Sequence, residues 1–422
     1  TTTIKAMEKQ CKSAFILSLS IILGCDEIPL QKADNKVVIV WNNIAYNIAN
    51  DHDQFYSFTG VRALTLVHVA MHDALNAIEP EYEFYSYNGR EPKADATVAS
   101  TQAAFQVLLA IYPHRKDTLE LELNKWHSKV VEGYPKTLGI ELGKKSAASI
   151  LALRHNDGHE KNGTYVPVNK IGAYQYTPGF DWVWIPDLLA NKPFTLVSPA
   201  QLRSPPPPAL TSKEYADSYN EVLAFGRAGS HVRTEDQTNV AHWWAEFGEH
   251  GWNRIGRITA AQEALPLKQT ARMLVMINMY LYDLYLSSFE SKYYYNTWRP
   301  YTAIHAGDAD NNAETVADRD WLPEMVTPPW PEYPSAHAAV AAGEAEIVSH
   351  VFGTSEISFT MESISALPGS KFRTYHNLDS AADECAESRI LNGFHFRFAT
   401  EAGKKQGREI AKNIIQKYFR PL

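Results

Sequence analysis

Cysteine is scarce in this chain of 422 residues: there are three, Cys11, Cys25 and Cys385. Two fall in the N-terminal segment, which leaves Cys385 alone, so no intramolecular disulfide is expected in the mature chain. Positive charge is also short. Forty basic residues stand against 48 acidic ones, a net charge of −8, which argues against a broad electrostatic footprint for nucleic acid. Long apolar runs are missing: nothing after residue 25 resembles a membrane span. No internal repeat is evident. What remains is ordinary globular composition, 45% hydrophobic and 21% charged, in a chain long enough for one large core or two packed bundles.

Residues 1–25 read as a signal peptide. Lys5, Lys9 and Lys12 make a positive start, and Ser13 to Gly24 form an apolar run too short for an ordinary spanning helix. The run ends Ile22-Leu23-Gly24-Cys25, which resembles a bacterial lipobox with Cys25 as the acylated mature N-terminus. Residues 26–36 read as a polar tether. The expectation is an exported lipoprotein, periplasmic or at the cell surface, that meets the membrane only through this anchor.

From Val37 the pattern is helical: Val37, Val40, Trp41, Ile44, Ala45 and Ile48 recur every three to four residues. Thr59 can cap a second helix that runs to about Ile78 and stops at Pro80. Helices are expected over 94–111, 116–132, 137–155, 212–228, 234–247, 267–295 and 336–351. A last helical stretch, broken or continuous, covers 379–397 and 399–418. The fold class is therefore all-α, packed helical bundles in a single domain over 37–422, with the bundle about 212–422 carrying the chemistry. Residues 157–210 break the rhythm with Gly158, Gly163, Gly172, Gly179 and the run Pro205 to Pro208. Alternating residues in Thr164–Trp184 allow a short hairpin at most. A loop this long is often a pocket wall. Its Tyr174, Tyr176, Trp182 and Trp184 either cover a site or pack the loop onto the helices.

Three segments concentrate chemistry. Lys292 is followed at Arg299-Pro300; then come Pro334-Ser335-Ala336-His337; then Ser388-Arg389 and His395. On an acidic protein these cations are a local exception, which favours a focused anion pocket. Arg and Lys neutralise oxyanion oxygens, Arg with planar two-point geometry. Two imidazoles add a ligand for the central atom and a proton carrier. Ser335 also fits a helix N-cap, and a helix starting there would aim its free N–H groups at the anion. Arg389 and His395 are six residues apart, about 240° around a helix, so both reach one pocket only if the wall is crossed obliquely.

The pattern Lys-x6-Arg-Pro, Pro-Ser-Gly-His, Ser-Arg-x5-His resembles the vanadium-dependent haloperoxidases of bacterial type. It also marks the type 2 phosphatidic-acid phosphatase superfamily and the bacterial non-specific acid phosphatases. A weaker likeness extends upstream into Gly60–Leu75. Ala336 stands where the family usually has Gly, and its methyl group narrows the room beside its N–H. The resemblance implies vanadate bound through His395, with Lys292, Arg299, Ser335, Ala336 and Arg389 around its oxygens and His337 as acid/base. Phosphate fits the same place. Catalysis would rest on His337, Lys292 and His395, with hydrogen peroxide, a halide and a small organic acceptor as partners. Iodide, which needs the least oxidising power, is the first halide expected, with bromide next. The resemblance also implies that Phe289 and Trp330 line a halide pocket, unless they are core packing.

The alternative is an acid phosphatase in which His395 forms a phosphohistidine and His337 protonates the leaving group. A third reading, an oxyanion-binding protein without catalysis, leaves His337 without a purpose. His68 and His72 stand at i, i+4 with Asp73 beside them, a spacing that can bind a metal. No Glu completes a His-Glu-x-x-His arrangement and the helix is otherwise apolar, so buried structural hydrogen bonding is the favoured reading. His242, beside Trp243 and Trp244, is a candidate for the edge of the same cavity.

Overall fold

The computed structural model describes residues 34–55, 57–159, 161 and 163–422. The expected leader, Cys25 and all but the end of the tether lie outside the described residues. Among the described residues there are thirteen α-helices: α1 (Lys36–Asp53), α2 (Thr59–Ile78), α3 (Ala96–Ile111), α4 (Lys116–His127), α5 (Tyr134–Leu153), α6 (Lys213–Phe225), α7 (Glu235–Trp243), α8 (Gly248–Gln262), α9 (Leu267–Tyr295), α10 (Pro300–His305), α11 (Ala336–Phe352), α12 (Leu378–Leu391) and α13 (Arg397–Lys417). One antiparallel hairpin, β1 (Phe359–Glu362) with β2 (Phe372–Tyr375), pairs Phe359 with Tyr375 and Glu362 with Phe372. The architecture is all-α.

Two helices are buried on every side. All of α2 from Gly60 to Ile78 is buried, and so is all of α9 from Thr270 to Lys292. A helix apolar around most of its circumference belongs at the centre of a bundle. Helix α2 packs against α1, α3, α5 and α9, while α9 packs in turn against α8, α11 and α13. One buried carboxylate within α9 is satisfied by another segment. Asp283 accepts hydrogen bonds from the backbone N–H groups of Phe194 and Thr195 at 2.6 Å and of Leu196 at 3.2 Å. That fastens the 157–210 segment to the bundle nine positions before Lys292.

Helices α11 and α13 pack closely against each other. A Cβ at Gly403 would lie 2.3 Å from the Ser335 carbonyl oxygen, and one at Gly407 would lie 2.2 Å from that of Ala339. Only glycine lets the helices approach this far. Ser335 N–H then donates to the Ala399 carbonyl at 3.0 Å, which sets the start of α11 against α13.

Several expectations need correction. Phe58, not Thr59, occupies the cap position of α2, and Thr59 is its first helical residue. No strand forms among the described residues of 157–210; the segment contributes only a bridge from Ala173 to Thr297. The hairpin lies instead at 359–375, where Phe359 and Met361 face inward and Thr360 is exposed. Helix α8 was not anticipated. Gly248, Gly251 and Gly256 lower its intrinsic propensity, and burial of Trp252, Ile255 and Thr259 supplies what propensity does not. The last helical stretch is broken: α12 ends at Leu391, Gly393 takes φ +81°, and α13 begins at Arg397. His395 therefore sits in a link between helices rather than on a helix face.

Candidate active site

Each site residue stands where a helix begins, ends or has just ended. Lys292 lies in the last turn of α9. The chain leaves α9 through Asn296 in the left-handed region, φ 51°, a conformation Asn tolerates. Arg299 follows, capping α10, with Pro300 as its first residue. The proline-rich loop 323–334 delivers Ser335 to the N-cap of α11, where its hydroxyl accepts from Ala338 N–H at 3.4 Å. Ala336 is the first residue of α11, among backbone N–H groups that have no intrahelical acceptor. Arg389 is in the last turn of α12, and His395 in the link that Gly393 opens.

These elements bring the residues together. Arg299 donates through Nε to the Trp330 carbonyl at 2.8 Å and through Nη1 to the Phe394 carbonyl at 3.0 Å. The same Nη1 lies 3.2 Å from His395 Nε2. A guanidinium can only donate, so His395 Nε2 carries a lone pair. Its Nδ1 carries the proton and donates to Glu332 Oε1 at 2.8 Å. Arg389 donates to Ser388 Oγ and to the Trp244 carbonyl, each at 3.0 Å. Lys292 Nζ donates to the carbonyls of Pro331, Glu332 and Pro334, so its ammonium holds the loop that presents Ser335. His337 Nε2 lies 3.1 Å from the Glu246 carbonyl. A carbonyl only accepts, so Nε2 is protonated and Nδ1 carries the lone pair. The two imidazoles are thus held in opposite tautomers.

Burial and mutual repulsion shape the charges. Lys292 and Arg299 are fully buried and Arg389 almost so. Burial pushes both guanidinium groups down to about 10, which still leaves them charged at neutral pH. Burial also holds the Lys292 ammonium well below its ordinary value, with Arg299 adding to the effect and Glu332 opposing it. His395 is held well below the usual imidazole range by burial, then by Arg299, Lys292 and Arg389. His337, partly exposed, is lowered to about 3 by burial and then by Arg389. Burial raises the Glu332 carboxyl to about 7 against the pull of Lys292 and Arg299.

One buried donor stands out. Arg299 Nη2 has no hydrogen-bond partner. An orphaned guanidinium nitrogen in a protein interior calls for an acceptor. With the lone pair of His395 Nε2 beside the same guanidinium, the cage fits a tetrahedral oxyanion whose central atom bonds nitrogen and whose oxygens accept from cations.

The aromatic residues form an apolar wall next to this cage. Phe289 and Trp330 are neighbours, 5.9 Å between ring centroids, and Trp184 packs against both at 5.1 and 5.2 Å. Trp184 N–H donates to the Pro329 carbonyl at 3.0 Å, joining the 157–210 segment to the site loop. Tyr174 is fully buried against Tyr165, whereas Tyr176 and Trp182 are each 37% exposed. The segment thus divides its aromatics between packing and the wall.

The remaining histidines are spent elsewhere. His68 Nε2 is 2.8 Å from Asn42 Nδ2, and His72 Nδ1 is 3.2 Å from Asp73 Oδ1. Among the described residues no group of three or more His, Cys, Asp or Glu side chains could hold a metal ion. His242 pairs with Glu324 at 3.0 Å, not with any cage residue; its neighbour Trp244 reaches the cage through its carbonyl. A larger hollow of about 560 Å³ beside His350 and Lys412 lies at the other end of α11 and shares no residue with the cage.

Sequence reasoning missed Glu332. It is fully buried, accepts from His395 Nδ1 and from Phe396 N–H at 3.1 Å, and gives its carbonyl to Lys292. Its signal was present: a carboxylate in the otherwise apolar run Pro328-Pro329-Trp330-Pro331-Glu332-Tyr333, three residues before Ser335. The carbonyls of Glu246 and Trp244 carried no signal, because any residue supplies a carbonyl.

Residues 272–422 match the family model of the VCPO second helical-bundle domain. No curated protein matches the chain. Among solved structures, a bacterial vanadium-dependent iodoperoxidase superposes with a TM-score of 0.78 at 22% identity, over 92% of this chain and 97% of its own. The apo form of a bacterial vanadium-dependent chloroperoxidase gives 0.69 at 15%, over 86% and 93%. A holo form of such a chloroperoxidase gives 0.67 at 14%, over 92% and 93%. The chain therefore has the vanadium-haloperoxidase fold, and its C-terminal part is similar to the VCPO second helical-bundle domain.

Proposed function

We propose that the protein is a vanadate-dependent haloperoxidase: hydrogen peroxide, a halide and a proton give hypohalous acid and water, with iodide the preferred halide. The observation that carries this reading is the pairing of an unprotonated His395 Nε2 with the partnerless Nη2 of Arg299 in a buried cationic cage. His395 would hold vanadate through Nε2, with Arg299, Arg389, Lys292, Ser335 and the Ala336 N–H around its oxygens. Bound vanadate supplies a Lewis-acidic centre that activates peroxide without changing oxidation state.

The protein's own groups do the rest. Glu332 fixes the tautomer that leaves His395 Nε2 bare. His337, neutral and anchored through Nε2, has Nδ1 available to accept the peroxide proton. Lys292 reaches an oxyanion oxygen by exchanging one of its three carbonyl bonds. The Phe289, Trp330 and Trp184 wall excludes water and favours a weakly hydrated anion, which supports iodide over bromide.

The test assays vanadate-reconstituted protein with peroxide and each halide, beside the protein without vanadate on a phosphomonoester. Vanadate-dependent iodide oxidation is expected, and His337→Ala should lower it by roughly 10²-fold or more while phosphate still binds. Phosphatase turnover with no halide oxidation would transfer the cage to phosphohistidine chemistry.

A further inference from the structure

The link between α7 and α8, residues 244–247, carries two of the carbonyls that hold the cage. That of Trp244 accepts from Arg389 Nη2 at 3.0 Å, and that of Glu246 accepts from His337 Nε2 at 3.1 Å. Links between helices are ordinarily the more mobile parts of a fold, so carbonyls placed there need an outside restraint. The restraint comes from residues outside the cage. We propose that Glu384, with Tyr375 and Arg373 of the β1–β2 hairpin, forms a clasp on this link and so positions Arg389 and His337 for the anion. The inference rests on the anion-cage part of the functional reading and not on the halide chemistry.

Trp244 is clasped at both ends by α12. Its indole Nε1 donates to Glu384 Oε1 at 3.0 Å, while its carbonyl accepts from Arg389, further along the same helix. Glu384 is itself fixed. Tyr375 donates its hydroxyl to Oε1 at 2.6 Å, and Arg373 donates through Nη2 to Oε2 at 2.8 Å. Both donors belong to β2, and β1 packs Phe359 on Tyr375 with ring centroids 5.4 Å apart. The rings follow the hydrogen bonds: Tyr375 lies 5.9 Å from Trp244 and 6.0 Å from Trp243. The Glu384 side chain is 24% exposed and Trp244 is buried, so water competes weakly for these bonds.

The hairpin holds the residues on either side of Trp244 as well. Ser363, directly after β1, donates its hydroxyl to the Trp243 carbonyl at 2.6 Å, and Trp243 Nε1 donates to the Lys371 carbonyl at 3.2 Å. Ile364 N–H donates to Glu246 Oε2 at 3.3 Å, and Arg254 of α8 joins the same oxygen to the Glu362 carbonyl. On the cage side the geometry is strict. Arg389 uses Nε on Ser388 Oγ and Nη2 on Trp244, which leaves Nη1 for an oxyanion oxygen. A guanidinium is a rigid planar fork, so a shift of the Trp244 carbonyl turns Nη1 with it. His337 keeps its lone pair on Nδ1 while the Glu246 carbonyl stays within reach of Nε2.

Phosphate calorimetry on the full chain reads the clasp without vanadate or peroxide. Glu384→Ala should weaken phosphate by about three- to tenfold, and so should Trp244→Phe, which removes the indole donor and keeps the backbone carbonyl. Both fall below the roughly 10- to 100-fold scale for a direct partner of a ligating histidine, because the restraint acts through one more residue. A double-variant cycle separates positioning from packing. In an Arg389→Lys background, Glu384→Ala should cost less than about twofold further, since the fork it positions is gone. Nitrogen NMR of the His337 ring should show the Nδ1-protonated tautomer appearing in Glu384→Ala. Thermal melts check folding, and Tyr375→Phe, which removes one donor to Glu384 and keeps the ring, carries the same measurements should Glu384→Ala not fold. Unchanged phosphate affinity with an unchanged His337 tautomer in the folded variants, or full additivity with Arg389→Lys, overturns the proposal. These shifts in a protein that oxidises no halide sustain the clasp and remove the haloperoxidase reading instead.

Discussion

His72 in α2 and His395 in the link before α13 are built alike up to their last contact. Each presents Nδ1 to a buried carboxylate, Asp73 at 3.2 Å and Glu332 at 2.8 Å. Each therefore has Nε2 as the second atom. The Nε2 of His72 has no partner, and the ring packs edge to face on Phe419 at 4.7 Å. That of His395 faces a buried guanidinium at 3.2 Å. The carboxylates differ as well. Asp73 also accepts from the backbone N–H groups of Tyr85, Ser86 and Tyr87 and so folds a loop, whereas Glu332 has one oxygen without a partner. A histidine held by a carboxylate thus ends against an aromatic ring in one place and among converging cations in the other.

Removing each imidazole gives the largest contrast. His395→Ala should take vanadate-dependent iodide oxidation to background, because no other proposed group bonds the central atom. His72→Ala should lower the melting temperature while turnover per folded molecule stays near wild type. Triiodide absorbance and thermal melts read both. Full activity in saturating vanadate for the first variant, or loss of activity without loss of fold in the second, breaks the comparison.

The carboxylates come next. Glu332→Gln keeps the size and the acceptor for Lys292 but weakens the hold on Nδ1–H. Oxyanion affinity should fall about 10- to 100-fold, the scale for a lost partner of a ligating histidine. Phosphate calorimetry measures it, and nitrogen NMR of His395 should show the second tautomer appearing. An unchanged tautomer with unchanged affinity would make Glu332 a packing residue.

The smallest expected effect is on the pH dependence of stability. His337 titrates at about 3 in the folded protein against about 6.5 when free. The folded state resists the proton, so the stability His337 contributes is complete above about pH 6.5. It is lost as pH falls toward about 3. His337→Ala should flatten this part of the acid limb in denaturant melts between pH 7 and 4. A limb as steep as wild type would mean that other groups carry it.

Much of this was legible because the signals were local. Lys292, Arg299, Ser335, Ala336, His337, Arg389 and His395 announced themselves by spacing, and α9 by an unbroken apolar period. The link holding His395 was harder: Gly393 sits inside a stretch whose flanks are both helical, and only its positive φ divides them. Helix α8 was hidden by three glycines whose cost is met by tertiary burial. Phe289 and Trp330 were visible as aromatics. That Trp184, more than a hundred positions before Phe289, packs between them depended on contacts that no short window contains.

The 157–210 segment is fastened to the rest at separate points: Gly172 and Tyr174 by the backbone of Trp298 and Asn296, Trp184 by Pro329, and Phe194 to Leu196 by Asp283. Between the Tyr165 hydroxyl, which donates to Asn296 at 2.7 Å, and the fastening at Gly172, Val166, Val168, Asn169 and Lys170 lie exposed. Insertions there would cost little, since loop-closure entropy grows slowly with length. The outer strap and the cage thereby lie on separable stretches of chain: the strap can be lengthened or redecorated while Lys292, Arg299, Ser335, Arg389 and His395 keep their places in and between the helices beneath.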